Sequence, residues 1–162
     1  MKEITLTKGA QAIVDDEDYE WLNQWRWQVD NQGYAKRIIS VDGGRQAVFM
    51  HRLILGLKYG DKLLADHINH NSLDNRRCNL RIVNNSQNQA NSYAASKNLI
   101  GYKGVRYHPL YPGHCKAWRA EIRVNRKGIY IGSYETAGEA ALAYNKAAIE
   151  YFGEYACLNA LP

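Results

Sequence analysis

The sequence predicts an α+β protein in two modules, and three observations carry that reading. Short runs of alternating apolar residues, the signature of half-buried strands, recur along the chain. One C-terminal stretch instead repeats alanine and tyrosine at helical spacing. Charge separates the two halves: residues 1–96 hold 12 Lys/Arg against 11 Asp/Glu, and residues 97–162 hold 9 against 5. The polar run Ser96-Lys97-Asn98-Leu99-Ile100-Gly101 ends in glycine and marks the expected boundary, giving modules 1–96 and 97–162. A length of 162 residues suits one ordinary domain or two small ones.

In the first module, Ile4 and Leu6, then Ala12, Ile13 and Val14, predict one or two short strands. Asp15 to Trp25 predicts a helix, with acids at the end where the helix dipole favours them and Trp21, Leu22 and Trp25 on an apolar face. GYAKRIIS and RQAVFMH flank Asp42-Gly43-Gly44 and predict a hairpin. HRLILGL begins a second helix that ends near Gly56 or Gly60. Residues 66–91, DHINHNSLDNRRCNLRIVNNSQNQAN, hold eight asparagines and few large apolar residues; they predict a long polar loop, then a helix from about Asn85 or Ser86.

The tail is clearer. YKGVRYH, CKAWRAEIRV and GIYIGSY predict three strands, with Trp118, Ala120, Ile122 and Val124 on one face of the second and Arg119, Glu121 and Arg123 on the other. Gly128 is the residue expected to shape the Asn125-Arg126-Lys127-Gly128 turn. Thr136 and Glu139 form a capping box, opening a helix whose stripe is Ala137, Ala140, Ala141, Tyr144, Ala147, Ala148 and Tyr151.

Composition narrows the function. The net charge of +5 points to a polyanionic partner, and residues 97–134 carry eight basic residues against the single acid Glu121. Cys78, Cys115 and Cys157 are widely spaced and odd in number, which argues against a disulfide framework or a cysteine zinc site. The N-terminal residues lack a signal-peptide apolar run and no segment suits a bilayer span, so a cytoplasmic protein is expected, with no membrane partner.

Asp66-His67 is the chemically telling pair. A neutral imidazole can take a proton from water near neutral pH, and a carboxylate beside it can hold a hard cation. An Asn oxygen from a following helix would complete a set suited to Mg²⁺ or Mn²⁺ better than Zn²⁺. Asp66-His67, Asn79 in DNRRCNLR and Asn88 in SQN, with His51 in MHRLI upstream, resemble the HNH endonucleases, closest to the homing-endonuclease branch with Asn at the third position. The spacings, twelve residues from His67 to Asn79 and nine more to Asn88, match that branch.

The resemblance covers about residues 45–92 and implies a ββα-metal finger. It implies His67 as the general base, Asn79 as the residue bracing the loop around it, and Asp66 and Asn88 as ligands of one divalent metal. Arg76, Arg77 and Arg81 are candidate phosphate contacts. His70 reads as a solvated loop residue or a phosphate contact, and His51 as a packing residue with an active-site role as the alternative. Asn71, Asn75, Asn84, Asn85 and Asn91 read as turn and cap residues. Residues 1–45 have two readings, scaffold for the finger or extra DNA contact.

YKGVR, WRAEIR, YIGSY and TAGEAALAYNKAA, closing with Leu158-Asn159, resemble the ethylene-response-factor type of DNA-binding domain, the Apetala domain, over about residues 100–160. That resemblance implies a three-stranded antiparallel sheet packed on one helix. It implies a DNA-facing set of Lys103, Gly104, Arg106, His108, Glu121, Arg123, Tyr130 and Ser133, with Arg106 and Arg123 foremost. Ile129, Ile131 and Trp118 are expected in the core; Tyr144 is core or a phosphate contact. His108, Tyr130 and Gly128 stand where the family often has Arg, Trp and Arg, and the PLYPGHCK loop is longer, so the family's GC-rich target does not transfer.

The combined expectation is a metal-dependent endonuclease of a phage or mobile element that hydrolyses phosphodiesters of double-stranded DNA in the bacterial or infected cell, without an obligate protein partner. The rival is a non-catalytic DNA-binding regulator with a decayed nuclease module. An RNA-binding accessory protein is the weaker rival, since the aromatic stacking motifs of RNA modules are missing.

Overall fold

The computed structural model describes residues 1–93, 100–108 and 116–161. The chain forms two compact units, Met1–Asn85 and Ser86–Pro162. The expected boundary at 96/97, the PLYPGH part of the loop and Cys115 lie outside the described residues.

In the first unit, β1 (Lys2–Thr5) and β2 (Gln11–Val14) pair antiparallel. Helix α1 (Asp16–Asn23) follows, with Asp16, Glu17 and Asp18 in its first turn. A sheet ordered β3-β4-β5 is built from β3 (Gln28–Val29), β4 (Ala35–Val41) and β5 (Gly44–Phe49), with Asp42-Gly43 as the turn between its long strands. Helix α2 (Met50–Ile54) ends before Gly56, whose φ of +72° lets the chain leave the helix.

The stretch whose composition predicts a long polar loop contains a strand pair, as the resemblance to a ββα-metal finger implies. β6 (Leu64–His67) and β7 (Leu80–Val83) run antiparallel, placing Asp66 opposite Arg81 and His67 opposite Leu80. The connection between them is fixed to the N-terminal hairpin. The Ile13 amide donates to the Leu73 carbonyl and the Ile13 carbonyl accepts from the Asn75 amide, both at 2.8 Å. The core beneath is apolar: Ile4, Leu6, Val14, Leu22, Trp27 and Met50 are buried with Leu80 of β7. That core is drawn largely from residues 1–45, and β7 packs into it through Leu80.

The second unit contains α3 (Asn85–Asn91) from Ser86 onward, then β8 (Val105–Tyr107), β9 (Trp118–Val124) and β10 (Lys127–Tyr134) in the antiparallel order β10-β9-β8. Helix α4 (Ala137–Phe152) packs on this sheet. Ala140, Ala141, Tyr144 and Ala148 of α4 and Val105, Ala120 and Ile122 of the sheet form the buried interior. Trp118, Ile129 and Ile131 pack against it, as expected, and Tyr144 is core.

Several local expectations are corrected. The tight turn is made by Asn125 and Arg126, at φ of +49° and +67°, while Gly128 lies in β10 opposite Arg123. In the capping box, Thr136 Oγ accepts from the Glu139 amide at 3.2 Å, but the Glu139 carboxylate reaches past the cap to the Glu135 amide. Tyr151 is exposed, and Phe152 packs in its stead.

Candidate active site

His67 ends β6 and is buried, at 5 % exposure. Three rings wall it in. The Tyr34 and His51 ring centres lie 5.8 and 5.1 Å from its own, and Phe49 stacks behind His51 at 5.7 Å. Burial pushes the His67 pKa down, against the opposing pull of Asn75 and of the Asp66 and Asp74 charges. The ring is thereby kept neutral, the form that can accept a proton.

The chain after His67 is held by carboxamides. The Asn79 side chain accepts from the Asn69 amide at 3.0 Å and donates to the Asp74 carbonyl at 2.8 Å. The Asn79 carbonyl also accepts from Ile68 at 2.9 Å. One buried residue thus closes both limbs of the connection onto the residues that follow His67. Asp74, buried, accepts from Asn69 and takes both ends of the Arg76 guanidinium at 2.7 and 2.6 Å; that guanidinium holds its carboxyl below the usual range.

Asn75, read from sequence as a turn residue, is the functional residue that sequence reasoning missed. It is fully buried, and its Oδ1 lies 3.4 Å from His67 Nε2 while its Nδ2 donates to the Leu73 carbonyl at 3.1 Å. Nothing local in DNRR distinguishes it from its neighbours; only the fold brings it to the imidazole.

Asp66 is buried and accepts from Arg81 Nε at 2.9 Å. Asn88 lies on α3 and is partly buried. Among the described residues, no three His, Cys, Asp or Glu side chains cluster as a metal cage. Asp66 offers one carboxylate, a hard oxygen donor that on its own does not make a structural zinc site.

The arginines expected to contact phosphate are committed elsewhere. Arg76 grips Asp74 and Arg81 grips Asp66. Arg77 takes the buried Asp18 carboxylate with two donors at 2.8 and 2.7 Å, its amide bonds Asp15, and Glu17 lies 3.0 Å from it. His70 sits in a turn at φ +62°.

His51 is also buried, and its Nδ1 has no hydrogen-bond partner. Burial, with the neighbouring His67, lowers its pKa to about 3. The unfolded chain then binds a proton near pH 6.5 that the fold refuses, so stability is full above 6.5 and is lost as pH falls toward 3. Each such histidine contributes a slope of about 1.4 kcal/mol per pH unit. His51→Phe keeps the ring and should flatten the urea-derived stability curve between pH 4.5 and 6.5 by one proton. Parallel curves for variant and parent would show that His51 titrates normally.

On the second unit, strand register aligns Arg106, Arg119 and Ser133 across the sheet, with Glu121 opposite Tyr130 in the next row of that face. Arg106, His108, Arg123 and Tyr130 are exposed. Arg119 was assigned to the polar face but not to the DNA-facing set; its guanidinium lies 5.4 Å from the Tyr130 ring centre, and the Tyr130 hydroxyl is 2.8 Å from Ser133 Oγ.

Two members of the expected set have structural occupations. Lys103 Nζ donates to the Gln89, Ala90 and Ser92 carbonyls at the end of α3, at 3.2, 2.6 and 2.6 Å. Gly104 has φ +73°, and a Cβ there would strike the Tyr144 ring and stand 2.6 Å from the Glu121 carbonyl. Asn159 clasps Lys103 and Asn145 through side chain–backbone bonds of 2.6 to 3.1 Å, which gives Asn159 a structural reason, while Leu158 is exposed.

A buried imidazole follows a carboxylate on a strand pair in the first unit, and the second unit presents a sheet face rich in arginine, the parts of a nuclease finger and a basic sheet module. A family model described as HNH endonuclease matches residues 48–90. An uncharacterized HNH endonuclease of Acanthamoeba polyphaga mimivirus is 32% identical over 154 residues, covering 94% of this chain and 76% of that protein. The chain belongs to the HNH endonuclease family and is a nuclease. Its C-terminal region is similar to ethylene-responsive transcription factors of Arabidopsis thaliana. One is 36% identical over 109 residues, 64% of each chain, and another is 44% identical over 66 residues, 40% of this chain and 14% of that protein. The chain thus spans less than two thirds of those plant relatives. No solved structure matches it. Among the described residues, no helix is long and apolar enough to cross a membrane.

Proposed function

We propose that the protein cuts or nicks double-stranded DNA with one divalent metal, Mg²⁺ or Mn²⁺, and is brought to its target by the C-terminal sheet. The observation that carries this is His67: buried, neutral, and held by Asn75 and Asn79 beside the Asp66 carboxylate.

The Asn75 amide is oriented by its bond to Leu73, so its oxygen faces His67. Nε2 then carries the ring proton and donates, and Nδ1 is the nitrogen that takes a proton from water. Asp66 would hold the metal, with Arg81 fixing the carboxylate's orientation without removing its charge. Asn88 is assigned as the second ligand because the family match runs to residue 90 and includes it. The metal, when bound, supplies Lewis-acid stabilisation of the phosphate and the departing 3′-oxygen. Arg106, Arg123, His108, Glu121, Tyr130 and Ser133, joined by Arg119, contact the duplex; Lys103 and Gly104 shape the module that presents them. A homing or mobile-element role, in a phage or its host's cytoplasm, is supported by the mimivirus relative and by the joining of the two modules.

Supercoiled plasmid incubated with Mg²⁺ or Mn²⁺ should be converted to nicked circles or linear product, and EDTA should stop the conversion. Equal conversion with and without EDTA would rule out the metal-dependent reading. No conversion of varied DNA with either ion would favour a regulator whose nuclease module is inactive.

A further inference from the structure

We infer that the first unit carries a second DNA contact, a phosphate-binding pocket built from Arg37 of β4 and Arg26. This rests on the nuclease reading for the identity of its ligand. The pocket is a cavity of about 370 Å³ lined by Thr7, Arg26, Trp27, Gln28, Arg37 and Ile38. Among the described residues no Asp or Glu lines it, so two arginines border a space that carries no acid of its own.

Four other arginines of the unit are occupied, whereas Arg45, exposed on β5, forms no ion pair among the described residues and does not line this pocket. Arg76, Arg77 and Arg81 are neutralised by Asp74, Asp18 and Asp66. Arg52 is spent on the Leu63 and Lys58 carbonyls. Arg26 and Arg37 form no ion pair among the described residues, and Arg26 is exposed.

Arg37 is also held in place. Its guanidinium carbon lies 3.8 Å from the Trp25 ring centre and 5.8 Å from that of Trp27. Packing on a tryptophan restrains a guanidinium while leaving its outer donors for a ligand. Burial lowers the Arg37 pKa, yet the group stays a cation at any working pH. Trp27 is itself anchored, donating its indole N–H to the Leu22 carbonyl at 2.8 Å, so the wall of the pocket is rigid. A preorganised pair of cations with no acid nearby suits one or two phosphodiester oxygens of DNA.

The test uses the full chain carrying His67→Ala, so that DNA survives the measurement, and a fluorescent duplex whose affinity is followed from 50 to 200 mM salt. Each phosphate contact contributes about 0.9 to the slope of log affinity against log salt. Arg26→Gln, at an exposed position, should lower the slope by about 0.9. Arg37→Gln should lower it by a similar amount, and Arg37→Lys should recover part of it. Slopes equal to the parent's in both glutamine variants, with far-ultraviolet circular dichroism unchanged, would overturn the pocket. The nuclease reading is scored separately, by plasmid cleavage with Arg26→Gln alone at low salt. Retained cleavage with an unchanged slope would remove the pocket and leave the enzyme.

Discussion

A His67→Ala protein should cleave plasmid about 10²–10⁴ times more slowly than its parent while binding the same duplex with unchanged affinity. The imidazole is the group at this site able to take a proton at neutral pH, because burial within the Tyr34–His51 wall disfavours its charged form. Alanine removes the base and leaves Asp66 and its Arg81 partner in place. A loss confined to rate is therefore the signature of a base, whereas a loss of metal affinity alone would mark His67 as a ligand. Asn75 sharpens the distinction. Asn75→Ala deletes the acceptor on Nε2 and should slow cleavage on the order of tenfold or more, through misalignment. Asn75→Asp keeps an acceptor and should recover much of that rate, with the pH–rate profile moved upward by the new charge. If both Asn75 variants lose equally, Asn75 serves packing and the tautomer assignment falls. Parent-like cleavage by His67→Ala would end the proposed mechanism.

How much of this was legible depends on what stabilises each part. The C-terminal strands were readable because each buries one face, so Ala120 and Ile122 alternate with Arg119, Glu121 and Arg123. Helix α4 announced itself by Thr136 and by its alanines. The β6-β7 pair was not readable as strands. Each has four residues, and the chain between them is held by Asn69, Asn71, Asn75 and Asn79 bonding nearby backbone and side chains, which leaves no apolar pattern. His67 and Asn79 could be named from the motif, but the Tyr34 and His51 wall arrives from remote segments. The hairpin turn misled for a different reason: glycine is the residue expected at positive φ, whereas here Asn125 and Arg126 adopt it and Gly128 does not. Charge was the least legible quantity. Arg77 looks free in NRRCN, and its partner Asp18 is 59 residues away in sequence.

That last point sets the second large effect. Arg77→Ala should destabilise the first unit by about 2 kcal/mol rather than simply weaken DNA binding. Asp18 is 1 % exposed and would lose two charge-assisted hydrogen bonds, keeping the Trp21 indole donor. Hydrogen bonds to a charged group are worth about 1.5–3 kcal/mol, and stranding a buried carboxylate costs more than the bond itself. The Arg77 side chain is 47% exposed, so water screens the pair and the expected loss stays below the 3–5 kcal/mol, roughly, of a fully buried one. Glu17 would lose its guanidinium contact as well, while the Asp15 bond to the residue 77 amide would survive. Asp18→Asn in the Arg77→Ala background should restore part of the loss, since it removes the stranded charge. Trp21, Trp25 and Trp27 lie in or just after α1 and Trp118 lies in the second unit, so tryptophan fluorescence in urea, read in a Trp118→Phe background, reports on this unit. Arg123→Ala is the matched control on the other unit: exposed and without an ion pair among the described residues, it should change stability by less than about 0.5 kcal/mol while reducing the salt slope of DNA binding. Should Arg77→Ala instead leave urea unfolding untouched and flatten the salt dependence as Arg123→Ala does, the Asp18 pair would be incidental and Arg77 a phosphate contact after all.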